Sequence, residues 1–431
     1  LDLLMHGSAA VTTAGRAGAG PAVSLSFILT AIACGFAALC YAELASMIPI
    51  AGSAYTYSYA TLGEIFAWVI GWDLILEYAV SNMAVAVGFS AYLNDLLEGT
   101  LGVHLPAVLA GPMIAGGRFT GNWFNLPALL VLLVLTMVLV RGVRESAETN
   151  NVMVLVKLAA ILIFVAGAAR AVRPENWRPY MPNGFPGVLT GAAIVFFTYI
   201  GFDSVSTAAE ECRRPQRDLP IGIIATLLSC TVLYTAVAVV LTGIADYRTL
   251  GNAAPVAGAL KTLGYDNIRR WVSVGALIGM VSSLLVFQYG QARVWFAMSR
   301  DGLLPRAFSR VHGVYQTPHI STWVAGLAVG IPAGVWDIGT FADLSNIGTL
   351  FAFVLVSAGV IVLRRRQPER QRSFRVPLVP WLPALSILCC LVLMMSLPLE
   401  TWLRFAVWLL IGLVIYFAFG RRHSVLAKGG G

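Results

Sequence analysis

The chain has 431 residues, of which 58% are apolar and 12% are charged, and its mean hydropathy is +0.78. Soluble globular domains carry about 45–50% apolar and about 25% charged residues, so the charged share here is about half the usual one. So few charges do not cover the surface of a water-soluble domain of this size, and a disordered chain would contain far fewer large apolar residues. The composition therefore indicates a polytopic membrane protein.

Long apolar runs recur from one end of the chain to the other. A helix needs about 20 apolar residues to cross a hydrocarbon core of about 30 Å. Eleven runs are predicted as spans on this ground: 22-50, 65-93, 123-140, 152-169, 188-209, 221-244, 272-298, 320-336, 347-363, 378-397 and 402-419. The glycine-rich stretch 94-122 between the second and third runs is predicted to be a surface loop.

Residues 1-14 form a shorter apolar stub ahead of these runs, and the chain begins with Leu1 instead of Met. The stub is too short to cross a bilayer. We interpret it as the remnant of a first helix whose start is truncated or processed.

The basic residues indicate how the chain is oriented in the membrane. With alternating spans and a cytoplasmic C-terminus, 17 of the 29 Lys and Arg residues fall in inner segments. The densest clusters all lie on that side, as the positive-inside rule requires. The net charge of +8 is therefore a topology signal, and a nucleic-acid partner is not expected.

Sequence patterns of enzymes and cofactor sites are missing. The five histidines are scattered, the six cysteines sit mostly in apolar runs without metal spacing, and no glycine loop for ATP is present. The hydroxyl pairs Ser282-Ser283 and Ser206-Thr207 have no histidine placed as a base. We expect no catalytic residue, no metal and no cofactor.

A few ionisable residues fall inside the predicted spans, where each needs a partner or a water-filled cavity. They are Glu43, Asp73, Glu77, Lys157, Asp203 and Arg293. Asp73 and Glu77 are four residues apart and share a helix face, which must look into the protein and predicts a lined cavity. The alternative is a pair of structural hydrogen bonds between helices. Glu43 and Arg293 lie close to span ends, where snorkelling or packing is expected.

Lys157 is predicted to lie about 8 Å inside its span, at 1.5 Å per residue. A desolvated lysine can lose its charge, so Lys157 is a candidate proton carrier. The competing interpretation is a permanent cation that fixes two helices by pairing with a carboxylate such as Asp203.

The span from Phe196 to Thr207 contains a glycine, an acid and several hydroxyls. This composition weakens the helix at Gly201 and Asp203. Broken helices at mid-membrane expose carbonyls and helix ends that suit ammonium and carboxylate groups, which favours a small zwitterion as ligand. Alternatively, Gly201 simply allows a neighbouring helix to pack closely.

At these residues the sequence resembles the amino acid-polyamine-organocation (APC) transporters, specifically the bacterial relatives of cationic amino acid transporters. Five stretches in the same order carry the resemblance, from about residue 20 to 420. They are Tyr41 to Tyr55, Gly71 to Ala79, Phe196 to Glu211, Gly290 to Pro305, and Phe374 to Pro380.

The resemblance implies an all-α fold of LeuT type, with two inverted five-helix repeats followed by two further helices. It implies that Phe197, Thr198 and Ile200 offer backbone carbonyls to the substrate amino group. Tyr234 and Phe287 would then line the side-chain pocket with Glu77 nearby. Lys157, together with Asp203, would carry the proton coupling, because Lys157 stands where sodium-coupled relatives bind a cation.

Two stretches depart from the family pattern. The family's first helix carries a glycine-rich break that holds the substrate carboxylate, whereas this chain reads Leu1-Asp-Leu-Leu-Met-His-Gly7. The first helix is therefore expected to be truncated. Phe287-Gln288-Tyr289 replaces more apolar residues of relatives, which leaves the side-chain specificity open.

We therefore expect one transporter domain over residues 1-431, with a first-helix remnant at 1-14, the rest of the repeat core at 22-363 and two C-terminal helices at 378-419. It would move amino acids across the plasma membrane with protons, by rocking of the first repeat against the second. Membrane lipid surrounds it, and an accessory subunit is left open. Cationic and small neutral substrates both stay open, because Glu77 does not choose between them.

Three alternatives remain at the level of sequence. A membrane-embedded enzyme would need a nucleophile and a base at one depth, whereas the histidines mostly lie in loops. A channel-like subunit would need a polar stripe along several spans. A transport-deficient fragment would follow from the missing glycine break.

Overall fold

The computed structural model describes residues 9–11, 17–47, 53–115, 118–142, 147–202, 214–252 and 254–424. Within them, thirteen helices of eight residues or more follow in the order α1 (Val23–Met47), α2 (Ser53–Thr61), α3 (Glu64–Leu101), α4 (Leu126–Arg141), α5 (Ala147–Ala168), α6 (Gly184–Tyr199), α7 (Pro215–Ile244), α8 (Pro255–Thr262), α9 (Asp266–Arg300), α10 (His319–Val335), α11 (Ile338–Arg366), α12 (Trp381–Met395) and α13 (Leu399–Ile415).

Shorter elements fill the connections between these helices. Single turns of helix lie at Gly20–Ala22, Ala107–Ala110, Ala169–Ala171, Pro174–Trp177, Tyr247–Thr249, Arg306–Ser309 and Arg421–His423, and a π-helical turn lies at Tyr416–Gly420. Two antiparallel strands, β1 (Ile114–Ala115) and β2 (Arg118–Phe119), form a small hairpin.

Each of the eleven predicted spans corresponds to one apolar helix. Seven helical stretches are long and apolar enough to cross a membrane, and α4, α6, α10 and α12 are shorter apolar helices of 15 to 17 residues. The remaining helices, α2 and α8, lie in connections. The prediction of an all-α polytopic membrane protein is confirmed. Of the stub 1-14, residues 9–11 are described, and Ala9 and Ala10 are buried.

The predicted loop at 94-122 is wrong for its first eight residues. The helix α3 continues to Leu101 and ends at Gly102, whose φ of 64° is a conformation that glycine adopts at low cost. The loop begins only there. Glycines at 99 and 102 suggested a loop, but Gly99 lies within the helix, packed against the guanidinium group of Arg269.

The helices pack into two groups. The first group is α1, α6 and α7, with α1 lying against both of the others. The second group is α3, α4, α9 and α10, in which α3 packs along α9 and α4 packs along α10. The helices α5 and α11 lie against the second group, on α9 and α3 respectively, and each also contacts the first. Small residues permit the closest approaches, for example Gly275 of α9 against Ala160 of α5.

A buried ion network joins the ends of α1, α11 and the loop after α11. The carboxylate of Glu43, which is 1% exposed, accepts hydrogen bonds from Arg364 at 2.7 and 2.8 Å, from Arg372 at 3.2 Å and from the backbone N–H of Val376 at 2.7 Å. The expected packing role of Glu43 is confirmed, and snorkelling is wrong for it. The guanidinium group of Arg293 lies 4.2 Å from the ring centre of Tyr289.

Candidate functional site

The sixth helix stops in the middle of the bundle. It ends at Tyr199, and Ile200 is extended, with φ −60° and ψ 131°. The next residue, Gly201, has φ +115°, which an L side chain rarely adopts. The regular hydrogen-bond ladder of α6 therefore ends in this segment, as its composition predicts.

Close packing does not explain Gly201. Within the described part of the chain, a Cβ atom added there would meet no atom within 4 Å. The described residues therefore do not support the alternative interpretation, in which Gly201 admits a neighbouring helix. The backbone conformation is what requires glycine at this position.

Aromatic side chains hold the chain on both sides of the break. Before it, the ring of Tyr199 lies 5.3 Å from Tyr234 of α7 and 6.3 Å from Phe27 of α1, and the Tyr199 hydroxyl donates to the Phe27 carbonyl at 3.0 Å. After it, the ring of Phe202 lies 5.1 Å from Phe353 of α11 and 6.0 Å from Tyr41 of α1. The two clusters fix the ends of the unwound segment within the bundle.

A cavity of about 370 Å³ opens beside the break, which is within the usual size range of small-molecule sites. Four helices surround it, namely α5, α6, α7 and α9. The lining residues are Lys157, Ala160, Ile161, Thr198, Tyr199, Ile200, Gly201, Phe202, Thr226, Leu227, Cys230, Tyr234, Gly275, Ala276, Gly279, Met280, Ser282, Ser283, Val286 and Phe287. Among these described lining residues, Lys157 is the one with a charged side chain.

Lys157 reaches the cavity from α5 and is held by α9. Its ammonium group donates to the hydroxyl of Ser282 at 3.1 Å. Its stem lies against the backbone of Gly279, where an added Cβ would come within 3.2 Å of Cγ of Lys157. No carboxylate of the described residues lies within ion-pair distance of Lys157. The expected pairing with Asp203 falls outside the described residues.

Five of the predicted site residues meet in this cavity: Lys157, Thr198, Ile200, Tyr234 and Phe287. Four of them lie on α5, α6, α7 and α9, and Ile200 follows the end of α6.

Two predicted substrate residues, Phe197 and Glu77, do not line the cavity. Phe197 is fully buried in α6, and Glu77 is 2% exposed on α3. Asp73 is also fully buried, so the prediction that the shared face of Asp73 and Glu77 looks into the protein is confirmed. Neither side chain lines a pocket among the described residues, so the cavity expected along that face stays a prediction. Tyr78, the residue after Glu77, does approach the site, because its ring lies 6.0 Å from that of the lining residue Phe287.

The sequence did not predict the roles of two positioning residues. Ser282, in an ordinary apolar span, accepts from Lys157, and Asn346 of α11 donates its amide to the carbonyls of Ala193 at 2.7 Å and Ile194 at 3.3 Å. Asn346 is fully buried. It ties α11 to α6 one to two turns before the break.

These features define a class of protein. A polytopic helical bundle with a broken helix and a small-molecule cavity beside the break is the architecture of a membrane carrier. Comparison with known proteins agrees with this class. Residues 4–419 match the amino acid permease family.

Individual relatives cover nearly the whole chain. The chain is 50% identical over 416 residues to a methylthioribose transporter of Bacillus subtilis (strain 168). This alignment covers 96% of this chain and 89% of the relative. It is 49% identical over 418 residues to the branched-chain amino acid permease BcaP of the same organism, with the same coverage. A cationic amino acid transporter of Arabidopsis thaliana, number 9, is 37% identical over 359 residues, 82% of this chain and 63% of the relative.

The chain belongs to the amino acid permease family, within the APC superfamily. The expected resemblance is confirmed, and the protein is a transporter and not an enzyme.

Proposed function

We propose that this protein carries neutral amino acids with apolar side chains across the plasma membrane, coupled to protons, by alternating access around the cavity beside Gly201. The observation that carries the proposal is the end of α6 at Tyr199 beside a cavity that Lys157 also lines. Carbonyls at a helix C-terminal end attract an amino group.

The cavity lining favours an apolar side chain over a cationic one. Leu227, Cys230, Met280 and Phe287 supply apolar surface, and the described lining carries a positive charge at Lys157 but no carboxylate. A cationic side chain would be repelled by Lys157 without a compensating anion. Two relatives named as branched-chain amino acid permeases agree with this substrate class.

Lys157 is suited to the coupling role. Its ammonium group has a neutral hydroxyl as its partner, so its charge costs free energy that proton release would recover. A carboxylate such as Asp203 would assist in a second state of the carrier. Movement of α5 against the first group of helices would then expose the lysine to one side of the membrane and afterwards to the other.

The packing suggests which helices move. The group α1, α6 and α7 shares fewer contacts with α3, α4, α9 and α10 than the members of each group share among themselves. We infer rocking between these two groups, a boundary that differs from the expected division between the first and second repeat. The LeuT-type arrangement of the expected repeats is part of this proposal. The clusters Arg364–Arg366 and Arg421–Arg422 support a cytoplasmic C-terminus.

Uptake into proteoliposomes tests the function directly. Radiolabelled leucine is expected to accumulate when the outside is more acidic than the lumen, and a protonophore is expected to abolish the accumulation. Unlabelled valine and isoleucine should compete, whereas arginine should not. Gradient-independent uptake, or competition by arginine as strong as that by valine, would contradict the proposal.

Replacing the cavity lysine tests the coupling. Lys157→Ala is expected to keep leucine binding and counterflow but to lose the dependence of uptake on the pH gradient. The matched control is Lys261→Ala, which removes an exposed lysine paired with Glu98 at 2.6 Å, outside the cavity. The control should accumulate leucine normally. Full coupling in Lys157→Ala would show that another group carries the proton.

A second candidate cargo is methylthioribose, favoured by the relative that is 50% identical. The hydroxyls of Thr198, Ser282, Ser283 and Tyr234 around the cavity could hydrogen-bond a sugar. Competition decides between the two, since methylthioribose should block leucine uptake if both occupy this cavity. Uptake of labelled methylthioribose with no leucine uptake would favour the sugar.

A further inference from the structure

A second pocket lies at the end of α7 on the side of the membrane where α11 and α13 end. It is formed by the start of α7 and by the loop between α11 and α12, and it shares no lining residue with the mid-membrane cavity. Its lining residues are Arg214, Pro215, Gln216, Arg217, Pro220, Ile221, Ser373 and Phe374. We call it the Arg214 pocket.

Two arginines of this pocket are exposed and unpaired among the described residues. Arg214 and Arg217 are exposed, and within the described part of the chain their guanidinium groups make no ion pair and no hydrogen bond. Other arginines on this side are engaged, as Arg364 and Arg372 are with Glu43. Asp218 is the neighbouring acid, and it pairs with neither arginine. Two guanidinium groups one turn apart are suited to the oxygens of a phosphate group.

Polar groups on the facing loop complete the mouth of the pocket. The Ser373 hydroxyl donates to the side-chain carbonyl of Gln216 at 3.1 Å, which joins the loop to the start of α7. The Gln216 amide N–H₂ group remains available as a donor. The pocket therefore presents positive charge and hydrogen-bond donors toward the headgroup region.

An apolar strip runs from the pocket into the membrane. Ile221, Leu228 and Val232 of α7 are 55%, 62% and 70% exposed, and their spacing, with Ala225, places them on one helix face. From Ile221 to Val232 the strip extends about 16 Å, which is about half the hydrocarbon core. It lies on the opposite face of α7 from Cys230 and Tyr234, so it faces lipid and not the cavity.

We propose that the Arg214 pocket binds the headgroup of an anionic phospholipid, whose acyl chain lies along the strip from Ile221 to Val232. The positively charged pocket would hold the phosphate group of the lipid, and the apolar strip would hold its acyl chain. A free phosphate would occupy the pocket but not the strip. The bound lipid would hold the membrane-surface end of α7, the helix that supplies Cys230 and Tyr234 to the cavity.

Native mass spectrometry of the purified full chain tests this site. Dioleoyl phosphatidylglycerol is expected to form a defined adduct that phosphatidylcholine forms more weakly. Since arginines near a membrane surface strengthen anionic lipid binding, Arg214→Ala/Arg217→Ala should weaken the adduct about tenfold or more. The matched control is Arg421→Ala/Arg422→Ala, which removes two exposed arginines on the same side, outside the pocket.

The controls separate the lipid from its alternatives. If both double variants lose the same amount of phosphatidylglycerol adduct, the effect comes from general surface charge, and the proposed site is wrong. Inorganic phosphate that displaces dioleoyl phosphatidylglycerol at millimolar concentration, or equal binding of dihexanoyl phosphatidylglycerol, would overturn the role of the strip. The uptake experiment does not depend on these results, so a failure of one proposal is distinguishable from a failure of the other.

Discussion

At the scale of single residues, the function of this carrier depends on backbone conformation as much as on side-chain chemistry. Gly201 has no packing role in the described structure, but its φ of +115° turns the chain out of α6. Glycine reaches this conformation without the steric cost that a Cβ atom imposes, about 1 kcal/mol or more.

Replacement of this glycine is expected to damage transport without creating a clash. Gly201→Ala should reduce leucine uptake at least several-fold, because the segment that presents the α6 carbonyls would shift. The matched control is Gly313→Ala, which also meets open space but has no positive φ. Uptake at the level of the parent protein in Gly201→Ala would show that the bend does not need glycine.

At the scale of the elements, polar side chains join helices that are far apart in the sequence. The Glu43 network joins α1 to α11 and to the loop that leads into α12, while Asn346 joins α11 to α6. On the other side of the membrane, Arg269 of α9, 4% exposed, pairs with Asp95 of α3 at 3.1 Å. Removing one partner of such a buried ion pair is strongly destabilising, because the other partner is left as a buried charge without compensation.

Removing the Glu43 carboxylate is expected to destabilise the bundle. Glu43→Gln would leave Arg372, whose side chain is 1% exposed, without its anion, and the expected cost is about 3 kcal/mol. The thermal midpoint in detergent should fall clearly. Glu98→Gln is the control, since its pair with Lys261 is solvent-exposed and is worth about 1 kcal/mol at most. Equal falls in both variants would contradict a special role for Glu43.

At the scale of the whole molecule, one cavity reached from alternate sides is the expected basis of transport. A native cysteine reports on it, because Cys230 lines the cavity from α7. A chain that keeps Cys230 and replaces the other five cysteines by serine allows its accessibility to be followed.

Substrate is expected to protect Cys230 from a membrane-impermeant maleimide. At ten times its Kd, leucine should slow the labelling about tenfold, since only the unoccupied protein reacts. Arginine serves as the control ligand and should give no protection. Labelling that leucine leaves unchanged would separate this cavity from the substrate site.

The sequence alone predicted much of the architecture. Eleven apolar runs became eleven helices, because hydrocarbon forces each spanning segment to satisfy its own backbone hydrogen bonds, a local requirement that composition records. The break near Gly201 was predicted for the same reason, since glycine and hydroxyl side chains act on the backbone nearby. The family was also recognisable from five short stretches.

The tertiary structure alone decided which residues share a site. Lys157, Thr198, Tyr234 and Phe287 lie on four helices, and Ser282 and Asn346 became visible only through their partners. The sequence predicted that the helix face with Asp73 and Glu77 is buried, but it did not predict what that face packs against. The reason is physical: lipid rejects a charged face wherever it points, whereas the packing of distant helices determines whether that face meets a cavity or another helix.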